Sequence, residues 1–354
     1  MSEEGEHGFS TPLSFRGDPS SKRKKGAHRP QYAPVFEHPP SNGAPPTKVH
    51  LFVNPFSGKK HGRKVAQLLL DEFNQRGVTV EASFSDAPGH LIQLASEREV
   101  GEGEVIAVVG GDGSLCEVMT GRMQRCPTQP EWYAIVPAGT GNSQAHDLGL
   151  SDVSSAVAAM LSGKRQALDL ARVELTEGLP GSTKGRIVRY CHNLVTWGLG
   201  VDSNIQAEKM RWLGPTRYDV GILLAILANR KRRATLVLDG VSVEDDFTLF
   251  LVQNSQTGGS KLPLAPGATL DDGRMDIGLL KNMSRRQILK AFGMLKSEGR
   301  HVFHPRVDYH RFSTLEILTT EPTAINIDGE NLGSTPLSME VLRHAAFISV
   351  PASE

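Results

Sequence analysis

The sequence predicts an α/β protein in which a doubly wound, mostly parallel sheet domain is followed by a β-rich, sandwich-like domain. Two patterns point there. Strand-like apolar runs alternate with amphipathic helical stretches between residues 48 and 161, and short β-type runs dominate the chain beyond them. Length adds a third argument, because 354 residues exceed what one compact core ordinarily organises.

In the first domain, residues 49–53 read as a strand and residues 62–76 as a helix with Val65, Leu68, Leu69 and Phe73 on one face. Gly77 supplies the helix stop. Residues 78–84 read as a second strand, and a helix opens at Pro88, a residue suited to a first helical turn. Residues 104–109 (EVIAVV) form a near-continuous apolar run, expected of a strand covered on both faces. A helix from Ser114, a strand at 132–136 and a helix at 151–161 complete the alternation. Ligands of such sheets sit at the carboxyl ends of the strands. Further along, residues 168–175, 187–197, 235–238, 247–252, 275–280, 314–318 and 324–327 read as strands between Gly, Asp and Asn turns. Helices are expected at 205–213 and 216–230. The boundaries fall at 48–165 and 166–336, with residues 337–354 as a C-terminal segment able to return to the first domain.

Composition narrows the function classes. Lys+Arg 39 balance Asp+Glu 39, and this lack of basic excess disfavours a nucleic-acid partner. Cys116, Cys126 and Cys191 are too few and too scattered for a disulfide framework or zinc site, which fits a reducing, cytoplasmic setting. No secretory signal is expected from the acidic start, and Ser2 stands where myristoylation needs glycine. The longest apolar run, residues 220–228, is far short of the ~20 residues of a membrane span, so contact with lipid would be peripheral. Residues 1–47 are proline-rich and carry Lys22-Arg23-Lys24-Lys25, which reads as a disordered tail. Its basic run is simply solvated, drawn to anionic membrane or a nuclear address.

Three glycine-rich segments follow successive strands: Asn54-Pro55-Phe56-Ser57-Gly58-Lys59-Lys60, Gly110-Gly111-Asp112-Gly113-Ser114 and Pro137-Ala138-Gly139-Thr140-Gly141-Asn142. Glycines let a backbone approach a ligand closely, and N–H groups at a helix start attract anions, so three such loops on one sheet edge suggest a phosphate cradle. None is a Walker A loop or a dinucleotide fingerprint, and each alone is equally an ordinary strand-to-helix turn. Asp112, between glycines, is expected to have no packing role and to handle a cation or a proton. His301, His304 and His310 lack a matching thiolate or carboxylate pattern and read as ordinary histidines.

The ordered segments NPFSGKK, GGDGS and PAGTGN resemble the diacylglycerol kinase catalytic-domain family, which includes sphingosine, ceramide and bacterial lipid kinases. Ser114 stands where that family usually has Thr. The segment from Glu208 to Tyr218 (EKMRWLGPTRY) is similar to one in sphingosine and ceramide kinases. Residues 268–276 (ATLDDGRMD) and Asp328-Gly329-Glu330 match two further family motifs. The resemblance implies an ATP- and Mg²⁺-dependent lipid kinase, with the lipid presented at a membrane surface. It places Asn54, Pro55, Phe56, Ser85, Gly110, Gly111, Gly113, Gly139, Thr140, Gly141, Asn142, Arg211, Arg217, Asp328 and Gly329 on the nucleotide side. Asp112 and Glu330 are implied as the catalytic carboxylates, either being the general base, with Asp112 and Asp328 near Mg²⁺. Asp202, Asn204 and Ser114 are implied on the lipid side. Asn204 stands where the sphingosine kinase pattern has the Asp that pairs with the sphingoid amine. The expected reaction is phosphorylation of the primary hydroxyl of a sphingoid base or ceramide. A diacylglycerol kinase and a catalytically silent lipid-binding regulator are the rivals. Asp328-Gly329 alone is also what a tight hairpin demands.

Overall fold

A computed structural model of the chain describes residue 30 and residues 32–352 except 182–184, 211, 213–215 and 260. The N-terminal part contains β1 (Ser41–Asn42), β2 (Lys48–Val53), α1 (Ser57–Lys60), α2 (Gly62–Gln75), β3 (Thr79–Phe84) and α3 (His90–Glu97). It continues with β4 (Val105–Gly110), α4 (Asp112–Met123), β5 (Glu131–Pro137), α5 (Ser143–Asp147) and α6 (Val153–Leu161). The C-terminal part opens with β6 (Lys164–Glu177), β7 (Arg186–Cys191), β8 (Leu194–Gly198), α7 (Leu199–Lys209), α8 (Arg217–Ala228) and β9 (Arg232–Leu238). After them come β10 (Val241–Gln253), β11 (Met275–Lys281), α9 (Arg285–Lys296), β12 (Val307–Phe312), β13 (Thr314–Thr319), β14 (Ala324–Ile327) and β15 (Glu330–Ser349). The fold is mixed α/β, with a β-rich C-terminal domain.

In the first domain β3, β2, β4 and β5 pair in that order, all parallel. Leu51, Val53, Val105 and Val109 meet Leu69 and Phe73 of α2 and Val157 and Met160 of α6. On the other face, Phe52, Ile106 and Val108 meet Leu91 of α3 and Leu115, Val118 and Met119 of α4. β4 is buried along its whole length, as its unbroken apolar run requires. The loops that follow β2, β4 and β5 therefore emerge together at one sheet edge.

The second domain is β-rich, as expected of a sandwich-like unit, and its strands also close on themselves. All strands belong to one hydrogen-bonded sheet, and β10, β8, β14, β15, β13 and β9 pair in a ring that closes on itself. Closure is possible because β10 and β15 are long enough to serve different partners along their length, and it leaves no free edges in the ring. Trp197 stacks on Phe250 at 5.1 Å between ring centroids, within the apolar filling. β15 then passes an irregularity between Leu342 and Ala346 and pairs in parallel with β5 of the first domain.

Two expectations need correcting. The strand read at 187–197 is two strands, because His192 and Asn193 leave the ladder to bond elsewhere, as described below. The tail ends before residue 47. Val35 and Phe36 pack against the first domain's core, and β1 pairs with β6. The Val35 carbonyl accepts from Leu270 N, and Ala33 N donates to the Pro266 carbonyl. The mix of Pro and polar residues concealed two apolar anchors and a run of backbone bonds. Deleting residues 1–47, harmless for a free tail, is instead expected to cost roughly 2–4 kcal/mol of stability, chiefly from two lost apolar side chains. Thermal denaturation of the truncated chain checks this, and an unchanged midpoint would contradict it.

Candidate active site

The sheet edge is assembled from glycine contacts. Gly139 and Gly111 touch so closely that a Cβ on Gly139 would stand 2.6 Å from Gly111 Cα. The Gly110 carbonyl accepts from the N–H groups of Ala138 and Gly139, tying the second and third loops together. Asn142, in left-handed conformation, accepts from Gly139 N at 2.8 Å and donates to its carbonyl at 2.9 Å. Gly139 thus braces the loop from within, while Thr140 is the loop's exposed tip. In the first loop Asn54 Oδ1 accepts from Phe56 N, and Asn54 Nδ2 donates to Ser114 Oγ at 3.1 Å. Phe56 is exposed, whereas Pro55 and Ser85 are buried, with Ser85 N bonded to the Val53 carbonyl. Ser114, implied on the lipid side, is buried and serves Asn54 instead.

Asp112 opens α4, and its carboxylate accepts from Ser143 N at 3.0 Å and Gln144 N at 3.1 Å. The expectation that this charge has no packing role is therefore corrected, because it caps the start of α5. Behind it lies a buried relay that sequence reasoning missed. His192 Nε2 meets the Asp112 carbonyl at 3.0 Å, and His192 Nδ1 meets Gln144 Oε1 at 3.0 Å. A neutral His192 that donates from Nε2 has an acceptor at Nδ1. Rotating the Gln144 amide then satisfies both Nδ1 and the buried, partnerless Gln144 Nε2.

Asp328 and Gly329 form the turn between β14 and β15, both at positive φ, so the hairpin reading and the site reading hold together. The Asp328 carboxylate is buried and accepts from Leu194 N at 2.8 Å and His192 N at 3.3 Å. These bonds draw His192 and Asn193 out of the strand ladder. Among the described residues, no trio of carboxylate and imidazole ligands converges here. Mg²⁺ takes one or two carboxylates together with water and phosphate oxygens, a set to which Asp112 and Asp328 would contribute.

Glu330, the first residue of β15, reaches the glycine-aspartate loop: a Cβ on Gly113 would lie 3.3 Å from its Oε1. A cleft of about 210 Å³ opens there, lined by Gly113, Glu117, Arg189, Ile327 and Glu330. Burial, reinforced by the neighbouring Glu117 charge, pushes the Glu330 carboxyl up to about 7 against the Arg189 guanidinium, which lowers it. Burial also raises Glu117, whose carboxylate accepts from Gly89 N. The sequence reading singled out neither Glu117, on α4 after Asp112, nor Arg189 on β7.

Because Glu330 holds its proton more tightly folded than unfolded, folding is favoured by the neutral form. That contribution is fully present at low pH and is lost as pH rises from about 4.5 to about 7. Glu330→Gln is expected to gain up to about 3 kcal/mol over the wild type at pH 8 and little at pH 4. Denaturant titrations at both pH values check this, and an equal difference at each would contradict it.

The remaining implied residues lie on the helical pair after β8. The Asp202 carboxylate accepts from Arg232 Nη2 at 2.7 and 2.9 Å, and Asn204 is half-buried on the same helix. That helix starts at the far end of β8 from Leu194, ~13 Å of strand away. Arg217, first in α8, pairs with Glu208 at 3.4 Å. Arg211 lies outside the described residues.

A family model for the diacylglycerol kinase catalytic domain matches residues 48–173. One for the YegS C-terminal NAD kinase beta sandwich-like domain matches residues 193–349. Sphingosine kinase 1 of Arabidopsis thaliana is 27% identical over 75% of this chain, which spans 62% of that protein. Diacylglycerol kinase of Mycobacterium tuberculosis (strain ATCC 25618 / H37Rv) is 29% identical over 86% of this chain and 94% of its own. In fold, the chain is similar to a diacylglycerol kinase structure from Bacillus anthracis str. Sterne, with TM-score 0.68 at 21% identity over 86% and 97% of the two chains. Two adjoining domain models and relatives of both kinds agree: the chain carries a diacylglycerol kinase catalytic domain followed by a YegS C-terminal domain, and its relatives are lipid kinases.

Proposed function

We propose that this chain transfers the γ-phosphate of ATP to the primary hydroxyl of a sphingoid-type lipid, with ceramide preferred to a free sphingoid base. The observation that carries the headgroup preference is the pairing of Asp202 with Arg232 beside a neutral Asn204. An ammonium headgroup needs an unspent carboxylate, and this pair offers none without breaking an ion pair. A neutral amide suits hydroxyl and carbonyl groups, which need both donors and acceptors.

The nucleotide would lie along the edge formed by Phe56, Thr140 and Gly141, with Arg211 and Arg217 offsetting phosphate charge. The acceptor hydroxyl would enter the cleft beside Gly113, where Asp112 or Glu330 takes its proton. Asp112 is held rigidly by α5, whereas Glu330, near pH 7, is tuned to exchange a proton at working pH. If Mg²⁺ accompanies the nucleotide, it would neutralise phosphate charge, and of the two carboxylates first assigned to it Asp112 is the more accessible.

A lipid substrate implies approach from a membrane surface. Trp212 is 81% exposed, and Leu223, Leu224 and Leu227 of α8 present a largely uncovered apolar side. No helix among the described residues is long and apolar enough to cross a membrane. Diacylglycerol is a second reading with its own support, because the chain covers 91% and 94% of two relatives bearing that name but 62% of the sphingosine kinase. Rates on ceramide, diacylglycerol and sphingosine in mixed micelles rank the three. The reading expects ceramide first and sphingosine last, and a clear preference for sphingosine would overturn it.

A further inference from the structure

Away from the glycine loops, three segments bring His38, Asp271 and His344 together, with their ligand atoms within 4.8 Å of one another. His38 belongs to the N-terminal strap, Asp271 to the loop before β11, and His344 to the irregular stretch of β15 between the two domains. We propose that these residues form a binding site for a first-row divalent transition ion, Zn²⁺ foremost, which clips the strap across the domain junction.

The donor set is the first argument. Two imidazoles and one carboxylate form a nitrogen-rich set that suits Zn²⁺, whereas Mg²⁺ prefers oxygen ligands throughout. Spacing is the second. His38 Nδ1 and Asp271 Oδ2 are 3.0 Å apart, close to the ~3.3 Å that separates two ligands about 2.0 Å from a tetrahedral ion. The hydrogen bond they now make can thus be replaced by a bridging ion with a small outward shift of His38.

The supporting contacts are those that orient metal ligands. His344 Nε2 meets the Asp271 carbonyl at 3.0 Å, a bond that fixes its ring and leaves Nδ1 as the free donor atom. The His344 backbone is itself held at positive φ by the bond from its N–H to Asp169 Oδ1. Asp271 is fully buried and anchored by Glu37 N on Oδ1 and by His38 N and Gln166 Nε2 on Oδ2. His38, by contrast, has a side chain 43% exposed and is free to swing. A cleft of about 390 Å³ runs past His38 and Gln166, which supplies an entry path and room for water as a further ligand.

The test uses the full chain stripped of metal by a chelator and titrated calorimetrically with ZnCl₂, in parallel with MgCl₂. One equivalent of Zn²⁺ is expected to bind with micromolar or tighter affinity, with Mg²⁺ giving no competing heat. His38→Ala, at an exposed strap position, and His344→Asn, which tolerates the left-handed backbone, are each expected to weaken Zn²⁺ by about tenfold or more. Circular dichroism of both metal-free variants checks folding, and if His344→Asn unfolds, His38→Ala alone decides. Hydrogen exchange at the Glu37 and His38 amides should slow when Zn²⁺ is bound. Absence of Zn²⁺ binding in the wild type, or equal affinity in folded His38→Ala, overturns the proposal.

Discussion

Asp112→Asn is expected to lower phosphoryl transfer by about 10²–10⁴-fold, the usual cost of losing a positioned general base. The structure adds a second, smaller effect. The carboxylate accepts from Ser143 N and Gln144 N, and an asparagine can keep only one of those bonds through its carbonyl oxygen. A stability loss of about 1–3 kcal/mol follows from the bond given up. The two effects separate cleanly, since a loss of that size leaves a family domain folded at 25 °C. Turnover and thermal midpoint measured on one preparation check both, and near wild-type turnover in a folded mutant would refute the role of Asp112.

Asn204→Asp is expected to raise kcat/KM for sphingosine relative to ceramide and diacylglycerol by tens to thousands of fold, the scale of about 2–5 kcal/mol for a buried charge pair gained or lost. Asp202 is already spent on Arg232. With Arg232 bridging both Asp202 oxygens, the wild type has no free carboxylate on this stretch of α7. The substitution supplies one. Relative rates on the three lipids for both enzymes check this, and unchanged ratios would show that Asn204 does not read the headgroup.

The features legible in sequence were those with local causes. The glycine loops announced themselves because close backbone approach, such as that of Gly139 to Gly111, demands glycine at fixed places. β4 was legible because a strand covered on both faces must be apolar throughout. What sequence concealed depends on distant partners. Ser114 resembled a substrate contact until Asn54, 60 residues earlier, was seen to use its hydroxyl. His192 looked like one more strand residue, since nothing nearby signals its bonds to the Asp112 carbonyl and Gln144. The ring closure in the second domain was hidden for the same reason. It depends on β10 and β15 changing partners along their length, and alternation patterns record faces rather than partners.

Label transfer from [γ-³²P]ATP into organic-extractable lipid decides whether the glycine-loop edge phosphorylates lipid. The purified chain, incubated with mixed micelles of ceramide and diacylglycerol, should move label into a phosphorylated lipid, and Asp112→Asn should leave almost all of it in the aqueous phase. If the wild-type chain hydrolyses ATP or consumes none while the lipid fraction stays unlabelled, the assignment of the glycine-loop edge as a lipid-phosphorylating site is contradicted.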